Sequence, residues 1–257
     1  MDKMIDREKR EHYNKSLEYN GQAFADRFVL NCTGFKRNGY FLELGSRDAK
    51  LNNNSYILEK DFGWRGVMVD RVADHEASYE SVRPNSIPII QDATRIDYKK
   101  VFEDNNFPTS LDFWQLDLEV RDNTSLTALI KINETILDCY KFAVVTMEHD
   151  IYTDFETGEI DRKYGYEASV IAWVNAVNTR LTSREILERR GYHCVFKDIL
   201  DPPEECIDCP YEDWWVHPDL VDIEYVDYLQ EKNKDKFVIV NTRAGDINSF
   251  KSYEMEY

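Results

Sequence analysis

The order of apolar runs along this chain predicts an α/β fold: a seven-stranded, mostly parallel sheet with helices on both faces. Three observations carry the prediction. Short apolar runs recur at 40–44, 66–70, 87–91, 111–118, 142–147, 192–197 and 237–241. They are apolar on both faces, as strands buried between two helix layers must be. Helix-length segments separate them, which is the texture of right-handed crossovers in a parallel sheet.

From the N-terminus, residues 4–30 are polar and helix-favouring, with Tyr13, Leu17, Phe24, Phe28 and Val29 at roughly helical spacing. The sequence predicts a helical extension over 1–35 packed on a core over 36–257, and no repeat or low-complexity linker argues for more than one domain. A polar, glycine-containing loop is expected over 150–165, beyond the fifth strand. A helix over 166–190 follows, stopped by Gly191 just past basic residues. The stretch 201–218, which carries prolines and the pair Trp214-Trp215, reads as an irregular loop.

Composition narrows the function classes. Of 257 residues, 42% are hydrophobic and 13% aromatic, enough for a packed core and unlike a disordered chain. No apolar run reaches the roughly 18 residues of a membrane span. Residues 1–19 lack the apolar segment of a signal peptide, so the cytoplasm is the expected location. A formal charge of −17 repels phosphate backbones and anionic membranes, so neither nucleic acid nor membrane is an expected partner. The 5 cysteines are scattered, unlike a secreted disulfide framework. Cys206 and Cys209 form a C-x-x-C, half a zinc site or a redox pair, but no second pair completes four ligands.

The octet Phe41-Leu42-Glu43-Leu44-Gly45-Ser46-Arg47-Asp48 is the most informative. Here an apolar strand runs into a glycine, which permits a tight turn and lets a ligand approach bare backbone. Glu43 ends the first strand and can accept hydrogen bonds from a cofactor. Asp70 ends the second, where a Rossmann-like sheet grips the two hydroxyls of a ribose. A turn glycine with a solvated acid is the plainer reading of either feature alone. No G-x-G-x-x-G is present, so a pyrophosphate lacks its cradle. S-adenosylmethionine has no phosphate, and its sulfonium and amino acid moiety suit carboxylates. Asp92 and Ala93, ending the third strand, either close over the adenine or cap the next helix. Gly45, Ser46, Arg71 and Asp117 complete the candidate cofactor set.

A second constellation lies beyond the next two strands: Asp117 and Glu119 after the fourth, Glu148, His149 and Asp150 after the fifth. Ligands of open parallel sheets bind beyond the carboxyl ends of the strands. Acids crowded there repel unless a proton or cation intervenes. Asp117, Glu148 and Asp150 are therefore candidate ligands for Mg²⁺ or Mn²⁺, which would orient a substrate hydroxyl and make it more acidic. His149 is the candidate base because imidazole titrates near neutrality, with Asp117 and Glu148 as its catalytic neighbours. The plainer reading makes the acids helix caps and His149 a packed polar residue. Glu119, Asp213, Trp214 and Trp215 are candidate substrate contacts, the tryptophans as a stacking wall for a sugar. Glu119 equally suits the adenosine side, and the tryptophans equally suit the edge of the core. Arg243 is a further, weaker candidate.

The motif Glu43-Leu44-Gly45-Ser46-Arg47-Asp48-Ala49 resembles the E-I-G-A-N-D-G box of FkbM-type class I methyltransferases. The similarity continues through Leu58-Glu59-Lys60, Gly63-Trp64-Arg65-Gly66 and Asp70. It extends to Leu116-Asp117-Leu118-Glu119 and Met147-Glu148-His149-Asp150, spanning roughly 38–200. Ala49 departs from the family's glycine, Asn54-Ser55-Tyr56 stands where S-N-T is common, and Arg71 follows Asp70 without the usual proline turn. The resemblance implies a cofactor pocket lined by Glu43, Gly45, Ser46, Asp70 and Asp92. It also implies oxygen methylation, often of sugars or natural products.

The resulting expectation is an S-adenosylmethionine-dependent O-methyltransferase acting on a hydroxyl of a sugar, glycan or other small molecule, with a divalent ion assisting. Two other classes compete: a nucleoside-binding module without catalysis, and an NAD-dependent oxidoreductase, which the missing phosphate loop opposes. A nucleic-acid methyltransferase is opposed by the charge.

Overall fold

The computed structural model describes residues 7–72, 76–151, 165–200, 210–234, 237–242, 245–250 and 255–257. Helix α1 (Arg7–Ser16), a 3-10 turn (Gln22–Phe24) and α2 (Ala25–Cys32) precede the first strand. Then come β1 (Tyr40–Leu44), α3 (Tyr56–Phe62), β2 (Arg65–Asp70), α4 (Glu76–Val82) and β3 (Ile87–Ile90). A 3-10 turn (Ala93–Arg95) leads to α5 (Tyr98–Asp104), β4 (Ser110–Leu116), α6 (Thr124–Thr135) and β5 (Lys141–Glu148). The chain continues through α7 (Tyr166–Arg189), β6 (His193–Leu200), β7 (Pro210–Val216), α8 (Ile223–Asn233), β8 (Phe237–Thr242) and β9 (Gly245–Phe250).

The strands form one sheet in the order β3-β2-β1-β4-β5-β7-β6-β9-β8. Strands β1 to β5 pair in parallel, and β7 enters antiparallel between β5 and β6. The run β3-β2-β1-β4-β5-β7-β6 is a seven-stranded, mostly parallel Rossmann-like sheet of the kind the sequence predicts. One of its seven members differs from expectation. The stretch read as a loop holds β7, while the run at 237–241 belongs to a hairpin of β8 and β9 added outside β6. All seven residues of β7 are buried, its acids included. Glu212 is satisfied by the Tyr211 hydroxyl (2.9 Å) and the Trp214 indole N–H (2.6 Å), Asp213 by the Arg184 guanidinium (2.7 and 2.8 Å). A buried charge is tolerable only with such partners, and Arg184 lies in another element.

Alternation along the strands feeds two cores. Phe41, Phe113, Val144 and Trp214 face α2, α3 and α8, whereas Leu42, Trp114, Val145 and Trp215 face α5, α6 and α7. Trp214 stacks on Phe28 with ring centroids 4.6 Å apart. Helix α1 is tied to the start of α8 by Arg10, 3.2 Å from Asp222 and 3.8 Å above the Tyr225 ring. Helix α7 ends as expected: Gly191 takes φ +85°, and the Tyr192 N–H reaches back to the Leu187 carbonyl at 3.0 Å. Among the described residues no helix is long and apolar enough to cross a membrane.

Candidate functional site

After β1 the chain turns to β2 and β3 on one side, then returns to lay β4 on the other. That reversal opens a crevice beyond the carboxyl ends of β1 and β4, where open α/β sheets bind ligands. The crevice here is a cleft of about 420 Å³. Its wall carries Gly45 and Arg47 after β1, Asp70 and Arg71 at the tip of β2, and Gln91 to Ala93 after β3. Asp117, Glu119, Arg121 and Thr124 after β4, with Glu148 and Asp150 at the tip of β5, close the opposite side.

Gly45 makes the turn possible. Its φ is +89°, and a Cβ there would fall 1.7 Å from the Asp117 carbonyl oxygen, so any side chain would push β1 from β4. The Gly45 N–H donates to the Val69 carbonyl (2.9 Å) and the Asp117 N–H to the Leu44 carbonyl (3.0 Å), continuing both ladders into the cleft. Asp70 holds the rim: its Oδ2 accepts from the Arg47 N–H and its Oδ1 from the Val72 N–H, both at 2.7 Å. Asp92 caps the turn after β3, accepting from the Thr94 N–H and hydroxyl, and those bonds lower its pKa.

Of the expected cofactor residues, the structure brings Gly45, Asp70, Arg71, Asp92, Ala93 and Asp117 to the cleft. Glu43 and Ser46 do not line it. Glu43 sits two residues below the glycine, about 7 Å down the strand. There it accepts from the Ser55 hydroxyl (2.7 Å) and the Asn53 amide (3.2 Å), with burial raising its pKa. Ser46 bonds the Tyr79 hydroxyl at 3.0 Å. Both belong to the support beneath the loop. Asn53 also donates to the carbonyls of Ser46 and Asp48 (both 3.1 Å), and Arg83, 2% exposed, donates to Asn53, Ser55 and Glu59. Sequence reasoning missed Arg47, which stands inside the first motif but was given no role, and Asn53, Arg83 and Gln91, which stand in no motif.

The second constellation divides. Glu119 lines the cleft, and Asp117, Glu148 and Asp150 meet there. Burial, and then the charges of Asp117 and Asp150, push the Glu148 carboxyl well above the usual carboxylate range. Burial also raises Asp117, against the pull of Glu148 and Arg47. The other expected residues do not reach the cleft. His149, the first residue beyond β5, is 0% exposed and turned away from the cleft, with Nε2 3.4 Å from Asp198 and 3.5 Å from Asp213. Asp213 is locked to Arg184, and Trp214 and Trp215 fill the two cores, so no tryptophan wall faces the cleft. The three acids expected to hold a cation do not form a ligand set. Among the described residues, three ligand atoms lie within 4.8 Å of one another only in His149, Asp198 and Asp213. Cys206, Cys209 and Arg243 lie outside the described residues, as do 152–164 of the expected 150–165 loop.

No family model matches the chain, and no curated protein does. Solved structures share parts of its architecture. A chain described as a putative rRNA methylase from Clostridium thermocellum aligns with TM-score 0.46 and 11% identity, over 78% of this chain and 97% of its own. Cofactor-bound Rv0187 from MTB gives 0.45 and 11%, over 84% and 83%. An O-methyltransferase from Bacillus cereus in complex with SAH gives 0.44 and 12%, over 83% and 92%. At TM-scores under 0.5 these likenesses do not bear on what this chain does.

Proposed function

We propose that this chain is an S-adenosylmethionine-dependent methyltransferase that methylates a hydroxyl oxygen of a small molecule or sugar. One observation carries the reading: the cleft is built for a nucleoside without phosphates. Gly45 is followed by loop, and the next helix, α3, begins only at Tyr56. The glycine turn therefore does not lead directly into a helix N-terminus, as the pyrophosphate loop of a dinucleotide site does. The lining instead holds six carboxylates against three guanidinium groups, which repels a dinucleotide and suits a sulfonium.

In this reading Asp70 holds the ribose hydroxyls, Asp92 and Ala93 close over the adenine, and Gly45 and Asp117 receive the amino acid end. The bound cofactor supplies an electrophilic methyl group. Glu148 first releases its own proton to solvent and then takes the acceptor's proton, the role first expected of His149. A carboxylate kept protonated by burial and like charges is, once empty, a stronger base than an ordinary one. The divalent ion expected at Asp117, Glu148 and Asp150 has no place in this scheme, and the acceptor is a neutral molecule rather than a nucleic acid.

A thermal-shift comparison tests the reading. At a hundredfold excess over its dissociation constant, S-adenosylhomocysteine should raise the melting temperature by about 5–10 °C. NAD should leave it unchanged. Stabilisation by NAD and not by S-adenosylhomocysteine would overturn the proposal in favour of an oxidoreductase.

A further inference from the structure

His149 is fully buried, away from the cleft, yet it lies between two residues that line it, Glu148 and Asp150. Its ring faces a closed lattice of charge. Arg184 donates Nε to Asp213 Oδ2 at 2.7 Å, and its Nη2 bridges Asp213 Oδ1 (2.8 Å) and Asp198 Oδ1 (3.0 Å). Arg180 grips Asp198 with both ends of its fork, at 2.8 and 2.7 Å. Two guanidinium groups from α7 thus balance two carboxylates from β6 and β7. Burial works to raise the Asp213 pKa, but the hydrogen bonds of Arg184, the neighbouring His149 ring and the Arg184 charge together outweigh it and hold it well below the usual range.

The ring's other nitrogen defines its role. His149 Nδ1 accepts the Ile151 N–H at 3.3 Å, which assigns the ring proton to Nε2; that buried atom lies 3.4 and 3.5 Å from the two carboxylates, in contact with them but without a hydrogen bond. A protonated Nε2 has no lone pair for a metal, and the arginines already occupy the carboxylates. The three ligand-like groups therefore make a lock and not a cation site. The backbone is pinned as well: the N–H groups of His149 and Asp150 both donate to the Tyr211 carbonyl, at 2.6 and 3.0 Å. Asp150 then takes φ +48°, turning the chain back to the cleft. Such a conformation in a non-glycine residue persists only where the surroundings enforce it.

We infer that His149 is a positioning residue, which fixes from behind the sheet where Glu148 and Asp150 present their carboxylates in the cleft. The inference rests on the cleft being the site proposed above. The charged groups around the two residues are distinct. Glu148 faces Asp117 from β4 and Asp150 from its own turn, with Arg47 beside Asp117. His149 faces Asp198 and Asp213, backed by the two arginines. Without the ring, the turn loses its contact with the lattice and the acceptor for Ile151, and Glu148 moves away from the acids that crowd it.

Carbon-13 NMR of protein labelled at glutamate carboxyls reads this directly, with the Glu148 signal assigned through Glu148→Gln. In wild type Glu148 should titrate above the ordinary carboxylate range. In His149→Phe its midpoint should fall by about one pH unit, a tenfold change in proton affinity. His149→Gln, which keeps a donor and an acceptor, should restore most of it. A merely structural histidine would lower the melting temperature of His149→Phe and leave the Glu148 midpoint where it was, which overturns the inference. Should His149→Phe not fold, Arg184→Lys, which keeps the charge but loses the fork, should give the same downward shift. An unchanged midpoint there overturns the inference equally. Wild type is also titrated with S-adenosylhomocysteine. Absence of binding there sinks the cofactor reading, while the Glu148 midpoints judge the positioning role on their own.

Discussion

The two halves of the sheet use charge in opposite ways. On the side of β1 to β4, acids that reach the strand tips, Asp70 and Asp117, open into the cleft. Beyond β5, in β7 and β6, Asp213 and Asp198 stand inside strands, buried and held by cations from another layer: Asp213 by Arg184, Asp198 by Arg180 and Arg184. The difference is one of depth. A carboxylate at a tip keeps lone pairs for a ligand, whereas one a pleat or two lower must spend all of them on the protein. Glu43 shows the second behaviour on the first side, for it lies below Gly45 and bonds Ser55 and Asn53.

Breaking the buried side should have the largest effect. Asp213→Ala strips Arg184 of its main partner and leaves a buried cation, which costs about 3–5 kcal/mol. For a chain of this size that lowers the melting temperature by on the order of 10 °C. Affinity for S-adenosylhomocysteine, measured well below that temperature, should match wild type. A stable Asp213→Ala with weakened ligand binding would instead return Asp213 to the substrate site.

A smaller effect sharpens the contrast at Asp26, which is as buried as Asp213 but has only backbone donors, the N–H groups of Asn20, Gly21 and Arg27. Burial dominates there and raises the Asp26 pKa to about 6, from an ordinary value of 3.8. A raised carboxyl contributes stability that is present in full below its unfolded pKa and lost as pH climbs through the folded one. Wild type should therefore lose about 2 kcal/mol relative to Asp26→Asn between roughly pH 4 and 6. Parallel denaturation curves for the two proteins across that range would contradict it.

The same distinction explains what was legible in the sequence. Strands β1 to β5 were readable because their interiors are apolar and their acids stand at the ends, so run length and punctuation agree. Gly45, Asp70 and Asp117 were readable for the same reason. Strand β7 was not: Glu212 and Asp213 interrupt it, and Arg184, the partner that makes Asp213 tolerable, lies 29 residues away in another element. Trp214 and Trp215 looked like a ligand wall because a pair of tryptophans beside acids suggests a loop, yet strand alternation sends them into opposite cores. One signal was present and unused. Neighbouring residues of extended chain point to opposite sides, which weighs against Glu148 and His149 both opening into the cleft. The support under the first loop, Asn53 and Arg83, had no local pattern, since its hydrogen bonds span up to 34 residues.

The most direct test of the cleft as an adenosyl-cofactor site is a calorimetric titration of wild type and Asp70→Asn with S-adenosylhomocysteine. Wild type should bind one molecule per chain. Asp70→Asn, which loses a charged acceptor at the ribose position, should bind it about 10- to 100-fold more weakly. No binding to wild type, or equal affinity in the two proteins, would contradict the account.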